Sequence, residues 1–369
     1  MALFTDIDPE PRQRRRGGWL GWTILGTALF GLVVVALVPA PYVIEIPGPV
    51  FDTLGTVEVG GQDVELIEIS GEKTYETAGS LDMLTVRIEG SRENPKTWLE
   101  IGQAYLDPSK AVLPVDEVFP LGYSVEDSNV QGQIDMQNSQ QEAIAAALSD
   151  LGYEFDSRLK VAQTQEGAPA EGVLEAGDII LSLNGVEYAD VTGLRGGIAE
   201  NGIDTPATMV IERAGEQLTV EITPVMSEGE QPAPIVGIIV GGEYDFPVDV
   251  AIQLENVGGP SAGMMFALGI IDKLTPGELN GGENVAGTGT IAGDGTVGPI
   301  GGIRQKMYGA KDAGATWFLS PTANCNEVTG HIPGGLTVFS VDTLDDALAA
   351  LEVIADGGDT SKLPTCPAG

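Results

Sequence analysis

The sequence is poor in the residues that bind metal ions and nucleic acids. Its 369 residues include one histidine, two cysteines and only 18 lysines and arginines, against 54 aspartates and glutamates. The net charge of −36 argues strongly against a nucleic-acid partner, because phosphate binding needs clustered lysines and arginines, and it disfavours docking of the folded part on anionic lipid. One histidine and two cysteines are too few for an ordinary structural zinc site. We predict no metal, no cofactor and no nucleic-acid partner, and we attribute the negative charge to solubility.

Nucleotide-binding motifs are scarce as well. The phosphate-binding pattern G-x-x-x-x-G-K-[ST] does not occur in the sequence. Residues 293–298, GDGTVG, match G-x-G-x-x-G, but Pro299 and Gly301 follow where a dinucleotide site needs an uninterrupted helix. Asp294-Gly295 is instead typical of a hairpin turn. The sequence therefore predicts a protein that uses neither ATP nor a dinucleotide.

The N-terminus has the pattern of a membrane anchor. Residues 12–16 read RQRRR, and residues 17–40 then contain no charged side chain, a length that can span a bilayer as a helix. Trp19 and Trp22 lie at one end of this run, where interfacial aromatic residues occur. The arginines predict that residues 1–16 are cytoplasmic and that the rest of the protein is extracytoplasmic. A cleaved signal peptide is the alternative, but the run is long for one and LVPAPY is a poor cleavage site.

Beyond this run, the pattern of strands and helices predicts an α/β (α+β) multidomain fold. Short β-type runs separated by Gly/Pro turns come first, strand-rich and mixed segments follow, and no repeat or coiled coil occurs. The predicted segments are a β-rich region with a helix packing on the last domain (41–152), a strand-rich domain (153–227), a polar linker (227–234), an α/β domain (235–355) and a tail (356–369).

Three local signals within these segments predict specific turns and caps. A helix over residues 134–151 has a capping signal at Asn138/Ser139, and Asn184-Gly185 predicts a hairpin between two strands. The last helix, VDTLDDALAALEVI, has Asp342 as its predicted cap. Export would also permit a disulfide between the two cysteines, Cys325 and Cys366, although the sequence alone does not show that they meet.

The strand-rich segment resembles a PDZ domain. The stretch GAPAEGVLEAGDIILSLNGVEYADV, residues 167–191, is similar to the centre of the bacterial protease-associated type, and the resemblance covers residues 153–227. It implies a site that accepts an extended peptide, often the C-terminus of a protein, as an added strand. We expect the carboxylate-binding loop near the first strand, at residues 155–162. A PDZ-shaped spacer that binds nothing is the alternative.

The C-terminal segment resembles the proteolytic domain of Lon proteases. The matching stretches are GGPSAG (258–263), GTGTI (287–291), VGPIGGIRQK (297–306) and LSPTANCNEV (319–328). With the anchor and the PDZ-like segment, they are similar to the membrane-anchored, PDZ-containing Lon-like proteases. This resemblance implies a catalytic dyad of Ser261 and Lys306, with Thr288 positioning the lysine amine, and it makes a ring-shaped homo-oligomer possible. Gly258 departs from the aspartate that often stands three residues before the nucleophile.

The residues themselves leave the partner of Ser261 open. A serine hydroxyl needs a base held against it, and the single histidine, His331, lies in a Gly/Pro-rich segment without a motif. Lys273 is excluded because twelve residues of helix would separate it from Ser261 by roughly 18 Å. A helix over GGIRQKMYGAKDAGA brings one apolar face together, and both Lys306 and Lys311 border it. The face consists of Ile303, Met307, Ala310 and Gly314. The register of the Lon resemblance selects Lys306.

The residues before Ser261 suit a nucleophile at the start of a helix. Gly258 and Gly259 allow close approach of a substrate backbone, and Pro260 is favoured in the first turn of a helix. Free backbone N–H groups near Gly259, Pro260 and Ala262 would then hold an oxyanion. A serine that only caps the helix is the alternative.

Together these observations predict an ATP-independent serine endopeptidase, anchored in the cell membrane by a single span. Its PDZ domain would recruit unfolded or C-terminally exposed proteins. Two other functions stay open. In the first, the protein would be a peptide-binding adaptor whose Lon-like domain serves assembly. In the second, it would perform only acyl transfer or self-cleavage.

Overall fold

The computed structural model describes residues 17–119, 125–165, 167–227, 232–255 and 257–366. In these ranges the α-helices are α1 (Gly17–Leu37), α2 (Trp98–Ala104), α3 (Val115–Val118), α4 (Val125–Asp150), α5 (Val191–Asn201), α6 (Gly263–Leu274), α7 (Ile303–Asp312), α8 (Cys325–Val328) and α9 (Leu344–Ala355). Two 3₁₀ helices are Thr322–Asn324 and Thr360–Lys362.

The first group of strands comprises β1 (Tyr42–Asp52), β2 (Thr56–Val59), β3 (Gln62–Glu65), β4 (Ile67–Ser70), β5 (Ser80–Glu89), β6 (Ala111–Pro114), β7 (Ser157–Thr164), β8 (Ile179–Leu183), β9 (Ala207–Arg213) and β10 (Glu216–Ile222). The second group comprises β11 (Val225–Met226), β12 (Pro234–Ile235), β13 (Ile238–Tyr244), β14 (Asp249–Ile252), β15 (Asn284–Gly287), β16 (Thr290–Ile291), β17 (Val297–Gly298), β18 (Trp317–Pro321) and β19 (Thr337–Val341). The fold is mixed α/β.

One mixed sheet joins early and late parts of the sequence. Its order is β19-β18-β15-β5-β1-β6, so three early strands extend a sheet begun by three late ones. Strand β15 is parallel to β5 and to β18, whereas β1 is antiparallel to both of its neighbours. Helix α6 lies in the core beside this sheet, and every residue from Gly263 to Lys273 is buried. A helix that is apolar on all sides needs such a site, which explains the run GMMFALGII.

A second, antiparallel sheet forms a separate core. Its order is β10-β9-β8-β7-β13, and its buried residues include Leu159, Leu183 and Met209. Strand β13 belongs to this sheet although the sequence assigns its residues to the last domain, because the backbone returns after residues 227–234 to pair with β7. The predicted linker also holds Pro234 of β12, which pairs with β11.

The predicted turns agree in part with the structure. Asn184 and Gly185 both have positive φ, but the turn closes only a single bridge between Leu183 and Val186 rather than a hairpin of two strands. Asp294-Gly295 does turn between β16 and β17.

Two predicted helix caps are wrong. Asn138 and Ser139 lie inside α4, because the helix is already formed at residue 125. The cap of α9 is Thr343, which accepts from the Asp346 N–H, rather than Asp342. A neighbouring threonine with an acidic residue three positions later satisfies two free N–H groups at once, which a lone aspartate does not.

Helix α1 occupies most of the predicted membrane span. Its described side chains are largely exposed, including Trp19, Trp22 and Phe30. In the described ranges, however, no helix combines the length and the apolar character needed to cross a membrane. The predicted transmembrane helix is therefore not confirmed, and residues 12–16 lie outside the described part of the protein.

The two cysteines meet. Cys325 at the start of α8 and Cys366 in the C-terminal segment form a disulfide with a sequence separation of 41 residues. The bond fixes the tail beside the residues that lead into α8. Because Ser340 of β19 donates its N–H to the Pro364 carbonyl, the same tail is also held by the sheet.

We expect loss of this disulfide to destabilise the protein. A cross-link that closes a loop of this length restricts the unfolded state and contributes about 2–4 kcal/mol. Dithiothreitol should therefore lower the melting temperature of the wild type. A Cys325→Ser/Cys366→Ser double variant should melt at the reduced wild-type temperature and should not respond to the reductant. An equal melting temperature with and without reductant in the wild type would contradict the expectation.

Candidate functional site

Ser261 lies in a turn ahead of the central helix. Helix α6 begins at Gly263, and Ala262 is its N-cap residue, with no side-chain capping bond. Ser261 is therefore neither in the first turn nor a cap, and the capping alternative does not account for it. Its carbonyl accepts two hydrogen bonds, from the Gly289 N–H at 2.9 Å and from Thr288 Oγ1 at 2.8 Å.

Lys306 on α7 reaches this serine. Only 2 % of the residue is exposed, and its Nζ lies 2.7 Å from Ser261 Oγ and 2.9 Å from Thr288 Oγ1. The apolar face of α7 positions it, since Ile303, Met307 and Ala310 are all buried as the periodicity predicts. Gly314 lies beyond the end of the helix and is exposed, so it does not belong to that face.

The hydrogen bonds orient the lysine amine. Thr288 Oγ1 donates its single proton to the Ser261 carbonyl, so it can only accept from Lys306 Nζ. When the amine is neutral it has two protons and one lone pair. Donation to Thr288 uses one proton and leaves the lone pair free to face Ser261 Oγ. The three residues implied by the Lon resemblance are thus brought into one hydrogen-bonded set.

Burial lowers the pKa of the Lys306 amine, which favours the neutral form that this arrangement needs. Desolvation lowers the pKa of Lys306 from 10.5 to about 7, and the opposing effect of the nearby Glu45 charge is smaller. A large share of the amine is consequently neutral near pH 7. A neutral buried amine beside a hydroxyl is a combination that can accept the hydroxyl proton.

The other candidate bases lie elsewhere. Lys311 is exposed on the same helix, and His331 is exposed in its loop, where Nδ1 lies 3.0 Å from the Thr329 carbonyl. Lys273 is buried but forms an ion pair with Glu65, with a distance of 2.7 Å between Nζ and Oε2. The choice that helix periodicity left open between Lys306 and Lys311 is decided by burial.

The predicted oxyanion donors are only partly available. The Gly259 N–H donates to the Gly132 carbonyl of α4 at 2.8 Å, and Pro260 has no N–H to offer. No backbone carbonyl in the described ranges accepts from the N–H groups of Ser261 or Ala262. In that part of the protein these two N–H groups thus have no backbone acceptor, whereas the Gly259 N–H is engaged.

Glu45 is a neighbour of the lysine that no sequence pattern indicated. It lies on β1, is 9 % exposed, and its Oε1 is 2.9 Å from the position that a Cβ would take at Gly302, the N-cap of α7. Burial raises the pKa of Glu45 and the Lys306 charge lowers it. The carboxylate therefore stabilises the protonated lysine and the positive end of the α7 dipole.

Replacing Glu45 with glutamine should shift the pH dependence of any lysine-dependent reaction. Without the carboxylate the charged amine loses a stabilising neighbour, so the pKa of Lys306 falls further and activity appears at lower pH. We expect a shift of roughly 0.5–1 pH unit in the ascending limb of a rate profile. Glu58→Gln is the control, since Glu58 is exposed on β2 and is not among the charges that shift the pKa of Lys306 or of Glu45. An unshifted Glu45→Gln profile would exclude the electrostatic link.

A groove next to the second sheet is the candidate peptide site. It is a cavity of about 310 Å³ bounded by α5, by residues 233–240 and by one face of α4. The carboxylate-binding loop expected at residues 155–162 stays a prediction; these residues do not line the groove, and most of them lie in β7 inside the sheet, whereas β13 is its edge strand. In the described ranges, no group of three or more His, Cys, Asp or Glu residues is arranged to hold a metal ion.

Comparison with known proteins agrees with both resemblances. The family model of the Lon protease (S16) C-terminal proteolytic domain matches residues 254–353, and the PDZ domain model matches residues 122–223. Lon protease 2 of Herpetosiphon aurantiacus is 33% identical over 166 residues, which are 41% of this protein and 20% of that one. Lon protease of Geobacter metallireducens is 34% identical over 161 residues, 40% of this protein and 19% of that one. The matched region thus spans about a fifth of the length of these relatives.

Solved PDZ domains are also similar, at low identity. The PDZ domain of an SdrC-like protein from Listeria monocytogenes is 18% identical with a TM-score of 0.21, covering 22% of this protein and 85% of that one. Its counterpart from Listeria innocua is 19% identical with a TM-score of 0.21, covering 22% and 92%. On the family models and the Lon relatives, the protein contains a Lon-type (S16) proteolytic domain together with a PDZ domain.

Proposed function

We propose that the protein is an ATP-independent serine endopeptidase with a Ser261–Lys306 dyad. The observation that carries this proposal is the 2.7 Å approach of a buried lysine amine to Ser261 Oγ, with Thr288 fixing the amine from the other side. A lysine that only makes a surface soluble is exposed to solvent, whereas Lys306 is 2 % exposed.

Acylation follows from this geometry. The neutral Lys306 amine accepts the Ser261 hydroxyl proton as Oγ attacks the scissile carbonyl carbon. In this proposal the developing oxyanion accepts from the Ser261 and Ala262 N–H groups, for which no backbone acceptor occurs in the described ranges. Lys306, now protonated, gives its proton to the leaving amine when the C–N bond breaks, which leaves an ester on Ser261.

Deacylation repeats the proton transfers with water. The neutral amine accepts a proton from the attacking water, the ester C–O bond breaks, and the proton returns to Ser261 Oγ. The enzyme then has its starting protonation. Neither half of the cycle uses a nucleotide, a metal ion or a histidine.

The groove would recruit the substrate. An extended segment can add as a strand along the edge strand β13, so unfolded or C-terminally exposed proteins are the proposed substrates. ATP independence is proposed because the sequence has no P-loop motif.

Membrane attachment and export are proposed from the sequence. The support is the uncharged run of residues 17–40 after RQRRR, together with a disulfide of the kind that oxidising compartments favour. Extraction of cell membranes with alkaline carbonate tests this point. The full-length protein should stay with the membrane, and its release into the supernatant would contradict the anchor.

The experiment that tests the activity is cleavage of an unstructured protein, such as a casein, by the full-length protein without ATP. Fragments should form at a rate that added ATP and Mg²⁺ leave unchanged. If no fragments form and Ser261 resists acylation by a β-lactone probe, the peptide-binding adaptor becomes the better account. If the only product is a shortened form of the protein that requires Ser261, the protein cleaves itself alone.

A further inference from the structure

Helix α4 lies between the peptide groove and the nucleophile. The face that carries Gln131, Asp135 and Asn138 lines the groove. The next residues along the helix contact the turn that holds Ser261, since the Gly132 carbonyl accepts from the Gly259 N–H at 2.8 Å and Ser139 Oγ donates to the Pro260 carbonyl at 2.9 Å. Helix α4 thus contacts both the groove and the turn that holds Ser261.

The contact with the turn is close. A Cβ added at Gly258 would lie 3.1 Å from the Gly132 carbonyl carbon, and one added at Gly263 would lie 2.8 Å from Ser139 Oγ. Ser139 itself is only 4 % exposed. Because the packing leaves so little space, α4 cannot be displaced without changing its contacts with the turn.

On the groove side, α4 occupies part of the edge that a peptide would use. Asn138 Nδ2 donates to the Val240 carbonyl at 3.1 Å. Val240 belongs to β13, whose only strand partner in the described sheet is β7. A peptide that adds to this edge needs such outward-facing carbonyls for its own N–H groups, so it competes with Asn138.

We propose that peptide pairing along β13 displaces Asn138 from Val240 and, through α4, releases the Gly259 N–H from Gly132, which activates Ser261. In the unoccupied groove this N–H is held by α4. Its release adds a third donor beside Ser261 and Ala262 for the oxyanion. Asn138 and Ser139 act in this scheme as positioning residues. The inference rests on the proposed serine-protease function, because it concerns the rate at which Ser261 reacts.

The test measures the acylation rate of Ser261 by a small β-lactone in the full-length protein. Such a probe does not need recruitment by the groove, so its rate reports on the nucleophile alone. Asn138→Ala removes the bond to Val240 and should raise the rate about fivefold or more, the usual lower range of coupling between sites. Gln137→Ala is the matched control, because Gln137 is exposed on the same helix, next to Asn138, and lies outside the groove lining.

Occupancy of the groove can be imitated without knowing the natural peptide. Both native cysteines are in the disulfide, so Ala199→Cys on α5 provides a single thiol at the groove for N-(1-pyrenyl)maleimide. The adduct should raise the acylation rate as Asn138→Ala does. The same adduct at Glu200→Cys, the next residue of the helix and outside the groove lining, should not.

The variant that combines Asn138→Ala with the adduct at Ala199→Cys decides whether the substitution and the adduct raise the acylation rate through the same event. If both displace Asn138, the adduct at position 199 adds nothing to Asn138→Ala. Rates within twofold of the wild type for Asn138→Ala or for the adduct, or effects that multiply in the combined variant, would overturn the coupling. Failure of Ser261 to acylate in every variant would instead reject the protease function itself.

Discussion

Ser261→Ala is expected to abolish proteolysis while leaving the fold intact. The Ser261 hydroxyl is the proposed nucleophile, and removal of a catalytic nucleophile costs on the order of 10⁴-fold or more in rate. The variant should lose cleavage of an unstructured protein to the level of the uncatalysed reaction. Its circular dichroism and melting temperature should match the wild type, because the Ser261 backbone bonds to Thr288 and Gly289 do not depend on the side chain.

A matched serine controls for loss of a hydroxyl in general. Ser320 is fully buried on β18, outside the hydrogen-bonded set, and its hydroxyl bonds to the adjacent Pro321 carbonyl. Ser320→Ala should retain most of the activity. Residual cleavage by Ser261→Ala at more than a few per cent of the wild-type rate would mean that another residue is the nucleophile.

Lys306→Met should eliminate activity and at the same time stabilise the protein. Methionine keeps the apolar stem but offers no amine, so we expect a loss of rate similar to that of Ser261→Ala. Stability should rise because the wild type buries an amine whose pKa is lowered to about 7 from 10.5. The unfolded state binds a proton that the folded state releases between these values, so wild-type stability falls as pH drops through this window.

The variant removes this dependence. With an allowance for the lost hydrogen bonds to Ser261 and Thr288, we expect Lys306→Met to be more stable by about 1–3 kcal/mol at pH 7, and the gain should shrink toward pH 10. Denaturant unfolding at several pH values measures it. Lys311→Met is the control on the exposed side of α7 and should change neither quantity. A destabilised Lys306→Met would show that the amine is not held neutral by burial.

The candidate site could be predicted because it rests on short motifs that keep their order. The stretches around Ser261, Thr288 and Lys306 lie within one domain, and the helix that carries Lys306 has a clear apolar face. What the periodicity could not decide was which of two bordering lysines points inward. That depends on packing against β1 and β5, which lie far earlier in the sequence.

The features that were missed all depend on contacts distant in sequence. Glu45 approaches α7 only because β1 joins the sheet of the late strands. The engagement of the Gly259 N–H requires Gly132, and no pattern around residue 259 indicates it. Strand β13 was assigned to the last domain because pairing with β7 across a polar segment leaves no local signal. Local signals did give the turn at Asp294-Gly295, where the geometry is set by the turn residues themselves.

The position of α4 suggests why the two domains share one polypeptide. It begins within the stretch matched by the PDZ model and packs on the helix that follows Ser261. Glu142, farther along the same helix, accepts from the Val191 N–H of α5 and from the Gly293 N–H beside β16. Helix α4 therefore bonds both to α5, which borders the groove, and to the Lon-type proteolytic domain.

The pH dependence of Ser261 acylation tests the central claim most directly. The full-length protein would be reacted with a β-lactone from pH 5 to pH 10, and the modified residue identified by mass spectrometry. The account predicts that the rate rises with an apparent pKa near 7 and then levels off, that the label is on Ser261, and that Lys306→Met is unlabelled. A rate that increases with hydroxide without levelling, or labelling that persists in Lys306→Met, would contradict the Ser261–Lys306 dyad.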